Sequence, residues 1–145
     1  MITVREYRKG EAATLPVEEP DPSPNWLEEM EAVTSGLVSY ESDGQLLAVS
    51  GYQLMWDGVA GALAMVDRAE ASGHGKALAA AVRATIKLQM ARDGLRRVQA
   101  CGYASDREAL VFLRACGYRV ESIMRKAAPD GGDLIMSVII SEVSA

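Results

Sequence analysis

The spacing of hydrophobic residues predicts three consecutive strands in the first half of the chain. The segments 37–41, 45–56 and 59–66 are rich in aliphatic and aromatic residues, and the turns between them contain Asp43-Gly44 and Asp57-Gly58. Asp-Gly pairs supply the positive φ angles that tight hairpins need. We therefore predict an antiparallel three-stranded meander at this point of the chain.

Helical spacing replaces the strand pattern after residue 75. Apolar residues lie four apart within 76–93, and Gly94 is well placed to end a helix. These apolar residues are Leu78, Val82, Ile86 and Met90. After a short strand at 98–101, the capping-box layout Ser105-Asp106-Arg107-Glu108 predicts a second helix that runs to Cys116 and is closed by Gly117.

The two ends of the chain add further elements. Residues 2–7 alternate like a first strand, and Asn25 can cap a helix over 26–33. Residues 118–126 and 133–140 form a last hairpin. This order of strands and helices predicts the α+β class, with a mostly antiparallel sheet that contains one parallel step. With 145 residues, we expect one domain over 1–145.

A proline-rich acidic segment separates the first strand from the first helix. Four of the five prolines, Pro16, Pro20, Pro22 and Pro24, fall within residues 10–25. Proline lacks the backbone N–H that regular helices and central strands use. We predict an extended connector here. Further along, Gly51 lies inside the second meander strand, where it is predicted to mark a β-bulge.

Composition and charge narrow the function classes. No apolar stretch approaches the ~20 residues that span a bilayer, and the N-terminus lacks a signal-peptide layout, so we expect a cytoplasmic protein without a membrane partner. The net charge is −5, yet residues 68–126 carry twelve Lys and Arg against five Asp and Glu. A nucleic-acid partner is disfavoured, because the pI is near 4.9 and the basic segment has few aromatic residues. Cys101 and Cys116 are interpreted as small buried apolar residues, and no metal site is predicted.

The segment 72–76, Ser-Gly-His-Gly-Lys, carries the clearest chemical signal. It lies between a predicted strand and a predicted helix, where glycines let backbone N–H groups reach an anion and the helix N-terminus adds positive potential. The segment is neither a dinucleotide fingerprint, because the third glycine would fall on Leu78, nor a Walker loop. It is a candidate phosphate cradle, and the alternative for the basic residues around it is a solvated helix face.

Over residues 35–140 the chain resembles the GCN5-related N-acetyltransferase (GNAT) superfamily. Residues 70–75, Glu-Ala-Ser-Gly-His-Gly, resemble the family's Q/R-x-x-G-x-G/A loop, and residues 106–118 resemble its helix motif that ends in Gly-Phe. A meander precedes the loop and a hairpin follows the second helix, in the family's order. The resemblance implies a mixed, mostly antiparallel sheet of about six to seven strands with helices on both faces.

The resemblance also implies a cofactor and a reaction. Acetyl-CoA would be the co-substrate, and its acetyl group would pass to an amine acceptor by direct attack. The backbone amides that would hold the pyrophosphate belong to Ser72, Gly73, His74, Gly75, Lys76 and Ala77. The main chain at Met65 and Val66 would pair with the pantetheine arm, and Asp106, at the family's usual asparagine position, would touch the same arm.

The chain departs from the family at its catalytic positions. Leu113 stands where a tyrosine usually protonates the departing thiolate, and Glu70 replaces the usual Arg or Gln of the loop. Tyr103, after the fifth strand, is the substitute candidate for the acid, and His74 is rejected as a base because of its place in the loop. Short acceptor-binding segments favour an open cleft and a large acceptor, such as a protein amine.

A second class of function follows from a closer likeness. The abbreviated N-terminal half resembles the small acetyltransferase-like proteins of tailed bacteriophages. This likeness implies a catalytically degenerate protein that serves inside a virion or binds a host partner. The last strand, 134–140, is apolar on both faces and could also form a homodimer contact. Binding of coenzyme A by the loop separates the enzyme from this alternative.

Overall fold

A computed structural model describes residues 1–16 and 22–141, which form seven strands, four helices and one 3₁₀ turn. The strands are β1 (Thr3–Glu6), β2 (Ser35–Ser42), β3 (Gln45–Trp56), β4 (Val59–Val66), β5 (Arg97–Tyr103), β6 (Arg119–Met124) and β7 (Leu134–Ile140). The helices are α1 (Trp26–Val33), α2 (Arg68–Ala71), α3 (Gly75–Asp93) and α4 (Arg107–Ala115), and the turn is Glu11–Thr14. The short helix α2 was not predicted.

The strands form one sheet in the order β1-β2-β3-β4-β5-β7-β6. All neighbouring strands are antiparallel except β4 and β5, which are parallel. The α+β class and the mostly antiparallel sheet are therefore confirmed. Within the described residues, no helix combines the length and the apolar character that crossing a bilayer requires.

The predicted bulge near Gly51 lies on the neighbouring strand. Ser35 pairs with Tyr52 and Val38 pairs with Ser50, so β2 carries one extra residue opposite Gly51. A Cβ atom at Gly51 would lie 2.6 Å from the Thr34 side chain. The glycine is needed because the bulged strand approaches it closely, and the extra residue itself belongs to β2.

Helices α3 and α4 cover one face of the sheet. The residues spaced four apart on α3, Leu78, Val82, Ile86 and Met90, are all buried, and they pack with the even-numbered residues of β3 and β4. The prediction of this helix is confirmed, and it ends at Gly94 with φ +66°. Cys116, after α4, is also buried, and burial raises the pKa of its thiol to about 12.

Helix α1 and the N-terminal turn cover the other face. Side chains alternate along a strand, so Leu47 and Val49 face away from α3. Both are buried nonetheless, as are Met30 of α1 and Ala12 and Leu15 of the turn. The predicted connector thus begins with a buried 3₁₀ turn rather than extended chain, because Ala12 and Leu15 fill this second core. Residues 17–21 of the connector lie outside the described residues.

The predicted caps were only partly right. Asn25 precedes α1 as expected, but its side chain makes no capping hydrogen bond. Helix α4 is capped by Asp106, whose side chain accepts from the Ala109 N–H (3.2 Å), rather than by Ser105. Asp106 is one residue closer to the helix, where its carboxylate reaches the third N–H of the first turn.

An ion cluster fixes the N-terminal turn to the sheet. Arg5 donates to Glu11 (Nη2 to Oε1, 2.7 Å) and to Glu41 (Nε to Oε2, 2.9 Å). Ser39 Oγ also donates to Glu11 (2.8 Å). The Arg5 hydrogen bond, against an opposing effect of burial, lowers the pKa of Glu11 to about 2.

Glu11 should make the stability depend on pH. Its carboxylate has a lower pKa in the folded chain than the usual 4.5, so its contribution is complete at neutral pH and is lost as the pH falls from about 5 toward 2. We expect Glu11→Gln to lower the free energy of unfolding by about 1–3 kcal/mol at pH 7 and by less than half as much at pH 3. Urea unfolding of both proteins measures this difference, and an equal difference at both pH values would contradict the assignment.

Candidate functional site

The strands β4 and β5 separate soon after they pair. Their parallel pairing covers three residue pairs, Val59 with Arg97, Ala60 with Val98 and Gly61 with Gln99. Beyond this point β4 continues to Val66 and β5 to Tyr103 without pairing with each other. The two strand ends therefore border a wedge-shaped gap in the middle of the sheet.

The register decides which β4 backbone groups face the gap. Asp67 N–H donates to the Leu47 carbonyl oxygen (2.9 Å), so in the β3–β4 ladder the backbone of Met65 also bonds toward β3. The N–H and C=O groups of the alternate residues, Ala64 and Val66, point toward β5 instead. They form an unpaired strand edge along one side of the gap.

The same reasoning applies to β5. Arg97 N–H donates to the Gly58 carbonyl oxygen (3.2 Å), so Arg97 and every second residue after it face β4. The backbone groups of Cys101 and Tyr103 therefore face the gap from the other side. The gap thus has backbone donors and acceptors on both walls, which suits an extended ligand that contains amides.

The loop after β4 uses part of its own hydrogen-bonding capacity. Ser72 N–H donates to the Ala69 carbonyl oxygen (3.4 Å), and His74 N–H donates to that of Ala71 (2.9 Å). These bonds shape the tight turn before α3. They also mean that the amides of Ser72 and His74 already have acceptors inside the loop.

Four other amides of the loop remain available. Within residues 1–16 and 22–141, no acceptor takes the N–H groups of Gly73, Gly75, Lys76 and Ala77. The last three form the first turn of α3, where the helix dipole adds positive potential. A Cβ atom on Gly75 would meet nothing within 4 Å, so the space in front of these amides is open. These amides form a candidate anion site at the mouth of the gap.

The gap and the loop border one large cavity of about 780 Å³. Six of the nine residues predicted to bind the cofactor line it: Val66, Ser72, Gly73, Gly75, Lys76 and Asp106. His74 and Ala77 lie outside this lining, and Met65 lines a neighbouring cavity on the α1 face. The cavity walls also include Ala64, Cys101 and Phe112, which the sequence analysis did not select.

An ion pair crosses the open end of the gap. Arg68, on α2, donates two hydrogen bonds to Asp106, at the start of α4 (Nη1 to Oδ1, 3.1 Å; Nη2 to Oδ2, 2.6 Å). The guanidinium beside it lowers the pKa of the Asp106 carboxyl below its usual range. Helix α2 turns Arg68 toward the gap, where it pairs with Asp106, and leaves Glu70 exposed.

This ion pair should be weak but measurable. Both side chains are about one third exposed, so we expect a coupling free energy of about 0.5–1 kcal/mol between Arg68→Gln and Asp106→Asn at low salt. Asparagine is chosen because it can still cap α4. Urea unfolding of the four proteins of the cycle measures the coupling, which should shrink in 0.5 M salt. A coupling near zero at low salt would show that the pair does not form in solution.

The second cavity, of about 620 Å³, lies between α1 and the opposite face of the sheet. It shares Leu63, Ala64 and Val66 with the first cavity, so the two meet along β4. Its other lining residues are Pro16, Pro22, Ser23, Trp26, Glu29, Met30, Val33, Gln53 and Met65. A molecule in this cavity would therefore approach the strand edge that borders the gap.

The candidate acid residues take different positions around the gap. Tyr103 lines the first cavity and is 43% exposed. Two other tyrosines of the lining are committed elsewhere: Tyr52 donates to Asp93, and Tyr118 is only 4% exposed. Leu113 lies on the α4 wall of the same cavity.

Cys101 is exposed, so its predicted burial was wrong. On β5 its side chain faces away from α3 and α4.

Comparisons with known proteins identify the fold. No protein-family model matches the chain, and a search of curated proteins finds no match. Solved structures do match. Ard1 from Thermoplasma volcanium superposes with a TM-score of 0.77 at 16% identity, over 98% of this chain and 99% of that one. A GNAT family acetyltransferase from Elizabethkingia anophelis with acetyl-CoA bound gives a TM-score of 0.72 at 11% identity, over 97% and 98%. The chain has the GNAT fold.

A third solved structure is similar to this chain at a comparable level. Aminoglycoside acetyltransferase AAC(6')-Ib, solved with coenzyme A and kanamycin, gives a TM-score of 0.70 at 16% identity, over 98% of this chain and 96% of that one. At such identities the likeness establishes the fold alone. Within the described part of this GNAT fold, no three His, Cys, Asp or Glu residues are grouped to hold a metal ion.

Proposed function

We propose that this chain is an acetyl-CoA-dependent N-acetyltransferase. The observation that carries the proposal is the continuous cavity that runs from Gly73, Gly75 and Lys76, whose amides have no acceptor, into a gap with two unpaired strand edges. An anion site followed by a channel of backbone donors and acceptors suits a diphosphate joined to an amide-containing arm. Solved neighbours with the same fold contain acetyl-CoA or coenzyme A, which supports this choice of ligand.

The proposed cofactor contacts follow from which backbone groups have no partner. The amides of Gly73, Gly75, Lys76 and Ala77 would bind the pyrophosphate, and those of Ser72 and His74 would shape the loop. The Ala64 and Val66 backbone would pair with the pantetheine arm in place of Met65, whose backbone bonds toward β3. Asp106 would border the same arm while Arg68 holds its carboxylate.

The reaction requires few groups from the protein. When bound, acetyl-CoA supplies an activated thioester carbonyl. The neutral acceptor nitrogen attacks the carbonyl carbon, a C–N bond forms, the C–S bond breaks, and the departing sulfur takes a proton. The acceptor nitrogen releases its proton to water, so the products are the acetamide and coenzyme A. Tyr103 is the proposed donor to the sulfur, since this residue lines the cavity and is 43% exposed.

The proposed acetyl acceptor is an amine. The protein amine, the homodimer, the cytoplasmic location and the bacteriophage or virion role stay predictions.

Isothermal titration with acetyl-CoA, and separately with coenzyme A, tests the proposal. Binding in the micromolar range, together with release of free thiol in the presence of an amine acceptor, is the expected result. Absence of binding at millimolar ligand would contradict the enzyme and favour a partner-binding role for the same fold. Binding without turnover of any amine would point to a fold that has kept its cofactor site and lost catalysis.

A further inference from the structure

The large cavity continues beyond the gap between β4 and β5. Its lining includes Leu95 and Val98, which precede Gln99 of the last parallel pair along the chain. It also extends from Gly75, at the start of α3, to Met90, near the end of that helix, a distance of about 22 Å along the helix axis. The cavity therefore passes beneath the point at which the two strands meet, on the side of the sheet that α3 covers.

The part of the cavity beyond this point, here called the inner chamber, is apolar and buried. Its lining residues are Val82, Ile86, Met90, Leu95, Val98 and Tyr118. The segments that supply them, 78–98 and 116–118, are described without a gap. Each of the five aliphatic or thioether side chains is at most 8% exposed. Such a space takes an aliphatic group in preference to water.

The charged residues of the cavity lie at its mouth, far from the inner chamber. Among the described residues that line the cavity, they are Arg68, Lys76, Asp106 and Glu108, at the starts of α2, α3 and α4. Three polar liners near the inner chamber are already hydrogen-bonded. Ser50 shares a hydrogen bond with Tyr40 (2.7 Å), Tyr52 donates to Asp93, and Gln89 donates to the Gly36 carbonyl oxygen (2.7 Å).

Tyr118 differs from these polar liners, because its hydroxyl has no partner. It precedes Arg119, whose register partner Val138 pairs with Gln99, so Tyr118 lies at the level of Val98. The residue is only 4% exposed, and its hydroxyl forms no hydrogen bond with any residue of 1–16 and 22–141. In this part of the chain every fully enclosed side-chain oxygen or nitrogen has a partner, so the Tyr118 hydroxyl opens onto the cavity that the residue lines.

The Tyr118 hydroxyl is a neutral hydrogen-bonding group. Burial, with smaller effects of Cys116 and Tyr40, raises the pKa of this hydroxyl above its usual value, so it keeps its proton. A buried hydroxyl without a partner costs free energy, which a ligand oxygen would recover. A carboxylate is a poor ligand here, because one neutral donor does not compensate for the loss of its hydration.

The inner chamber lies where the reactive end of the proposed cofactor would be. The loop amides would hold the pyrophosphate at the mouth, and the pantetheine arm would follow the strand edges toward the pair Gly61 and Gln99. The thioester would therefore lie next to the entrance of the inner chamber. A carbon chain attached to the thioester carbonyl would continue into it.

We propose that the inner chamber binds an aliphatic acyl group that is longer than acetyl and carries one neutral oxygen, with Tyr118 as the hydrogen-bond partner of that oxygen. The thioester 3-hydroxybutanoyl-CoA has this character. This inference rests on the proposed function for the reaction and adds a second acyl group to it. The acceptor nitrogen forms a C–N bond with the acyl carbonyl carbon, the C–S bond breaks, the sulfur takes a proton and the nitrogen releases one to water, which gives an N-acyl amine and coenzyme A.

Four thioesters test the chemistry of the inner chamber by isothermal titration. We expect butanoyl-CoA to bind about tenfold more tightly than acetyl-CoA, because two further methylene groups are buried. The tighter enantiomer of 3-hydroxybutanoyl-CoA should gain about another fivefold through Tyr118. Succinyl-CoA, with four carbons and a terminal carboxylate, should bind at least about tenfold more weakly than butanoyl-CoA. Thiol release from 3-hydroxybutanoyl-CoA in the presence of an amine is the expected sign of transfer.

Tyr118→Phe removes the hydroxyl and keeps the ring, and Tyr52→Phe is its matched control. Tyr52 also lines the cavity, but its hydroxyl donates to Asp93. We expect Tyr118→Phe to bind 3-hydroxybutanoyl-CoA and butanoyl-CoA within twofold of each other, with butanoyl-CoA affinity unchanged. Tyr52→Phe should keep the fivefold preference. Loss of the preference in both variants, or in neither, would overturn the role of Tyr118.

The outcomes separate this inference from the proposed function. If acetyl-CoA binds as tightly as butanoyl-CoA, no longer chain enters the inner chamber and the inference falls, while the acetyl transfer stands. If 3-hydroxybutanoyl-CoA binds without thiol release and acetyl-CoA is turned over, the second transfer activity falls. If no coenzyme A compound binds, the proposed function falls, and 2-pentanone then tests the chamber by ligand-detected NMR. Binding that Tyr118→Phe weakens would keep the chamber as a site for a neutral aliphatic ligand, and no binding would overturn it.

Discussion

Replacing Gly75 with aspartate should weaken coenzyme A binding by at least about 100-fold, roughly 2.7 kcal/mol, without destabilising the protein. Gly75 is the first residue of α3, and a Cβ atom there meets open space, so the substitution fits the fold. An acid in the first turn stabilises a helix through its dipole. The same carboxylate would lie where the pyrophosphate is expected, and like charges at close range repel strongly.

Gly75→Asn provides the matched control. Asparagine has nearly the same size and shape as aspartate and carries no charge, so it should weaken binding far less, by steric contact alone. Titration with coenzyme A and thermal unfolding of the three proteins measure both effects. If the aspartate and asparagine variants bind equally well, the pyrophosphate does not occupy the space in front of α3.

Replacing Tyr103 with phenylalanine should lower kcat by about 100-fold, the lower end of the ~10²–10⁴-fold range associated with a general acid, and should leave KM for acetyl-CoA nearly unchanged. Tyr103 lines the cavity and is exposed, whereas Tyr52 donates to Asp93 and Tyr118 is buried. The ring of phenylalanine preserves the packing. Initial rates of thiol release with a fixed acceptor measure the change.

Leu113 allows a rescue experiment for the same role. It lines the same cavity from α4, at the position where the resemblance places a tyrosine. We expect Leu113→Tyr to restore at least part of the kcat that Tyr103→Phe removes, because a hydroxyl again faces the cavity. Unchanged kcat in Tyr103→Phe would exclude Tyr103 as the proton donor and leave water as the source of the proton.

The strands and long helices could be predicted because local spacing determines them. The four-residue spacing from Leu78 to Met90 predicts α3 whatever the helix packs against. Asp43 and Gly44 both adopt positive φ in the turn between β2 and β3, as an Asp-Gly pair indicates. Helix α2 was missed because four residues carry too little periodicity to reveal a helix. The bulge was assigned to the wrong strand because one sequence shows which residue is small and not which neighbour approaches it.

The loop that we propose for the cofactor was selected from the sequence, but the hydrogen-bonding roles of its individual amides were not. The spacing of Gly73 and Gly75 indicated an anion site, and four free amides there agree with that interpretation. Which amides are already bonded depends on the turn geometry, which no residue type encodes. Likewise, the choice between Met65 and its neighbours depends on the register with β3, and the partner of Arg68 depends on α4, nearly forty residues away.

The short pairing of β4 with β5 has a consequence for how the protein holds together. The sheet consists of two antiparallel blocks, β1 to β4 and β5-β7-β6, and three parallel residue pairs are their only ladder within the described strands. An amide-containing ligand in the gap would form hydrogen bonds with both β4 and β5, and would thereby connect the two blocks where the strands do not pair. Because a ligand that binds only the folded state adds to its stability, the free energy of unfolding should rise with the concentration of the proposed co-substrate.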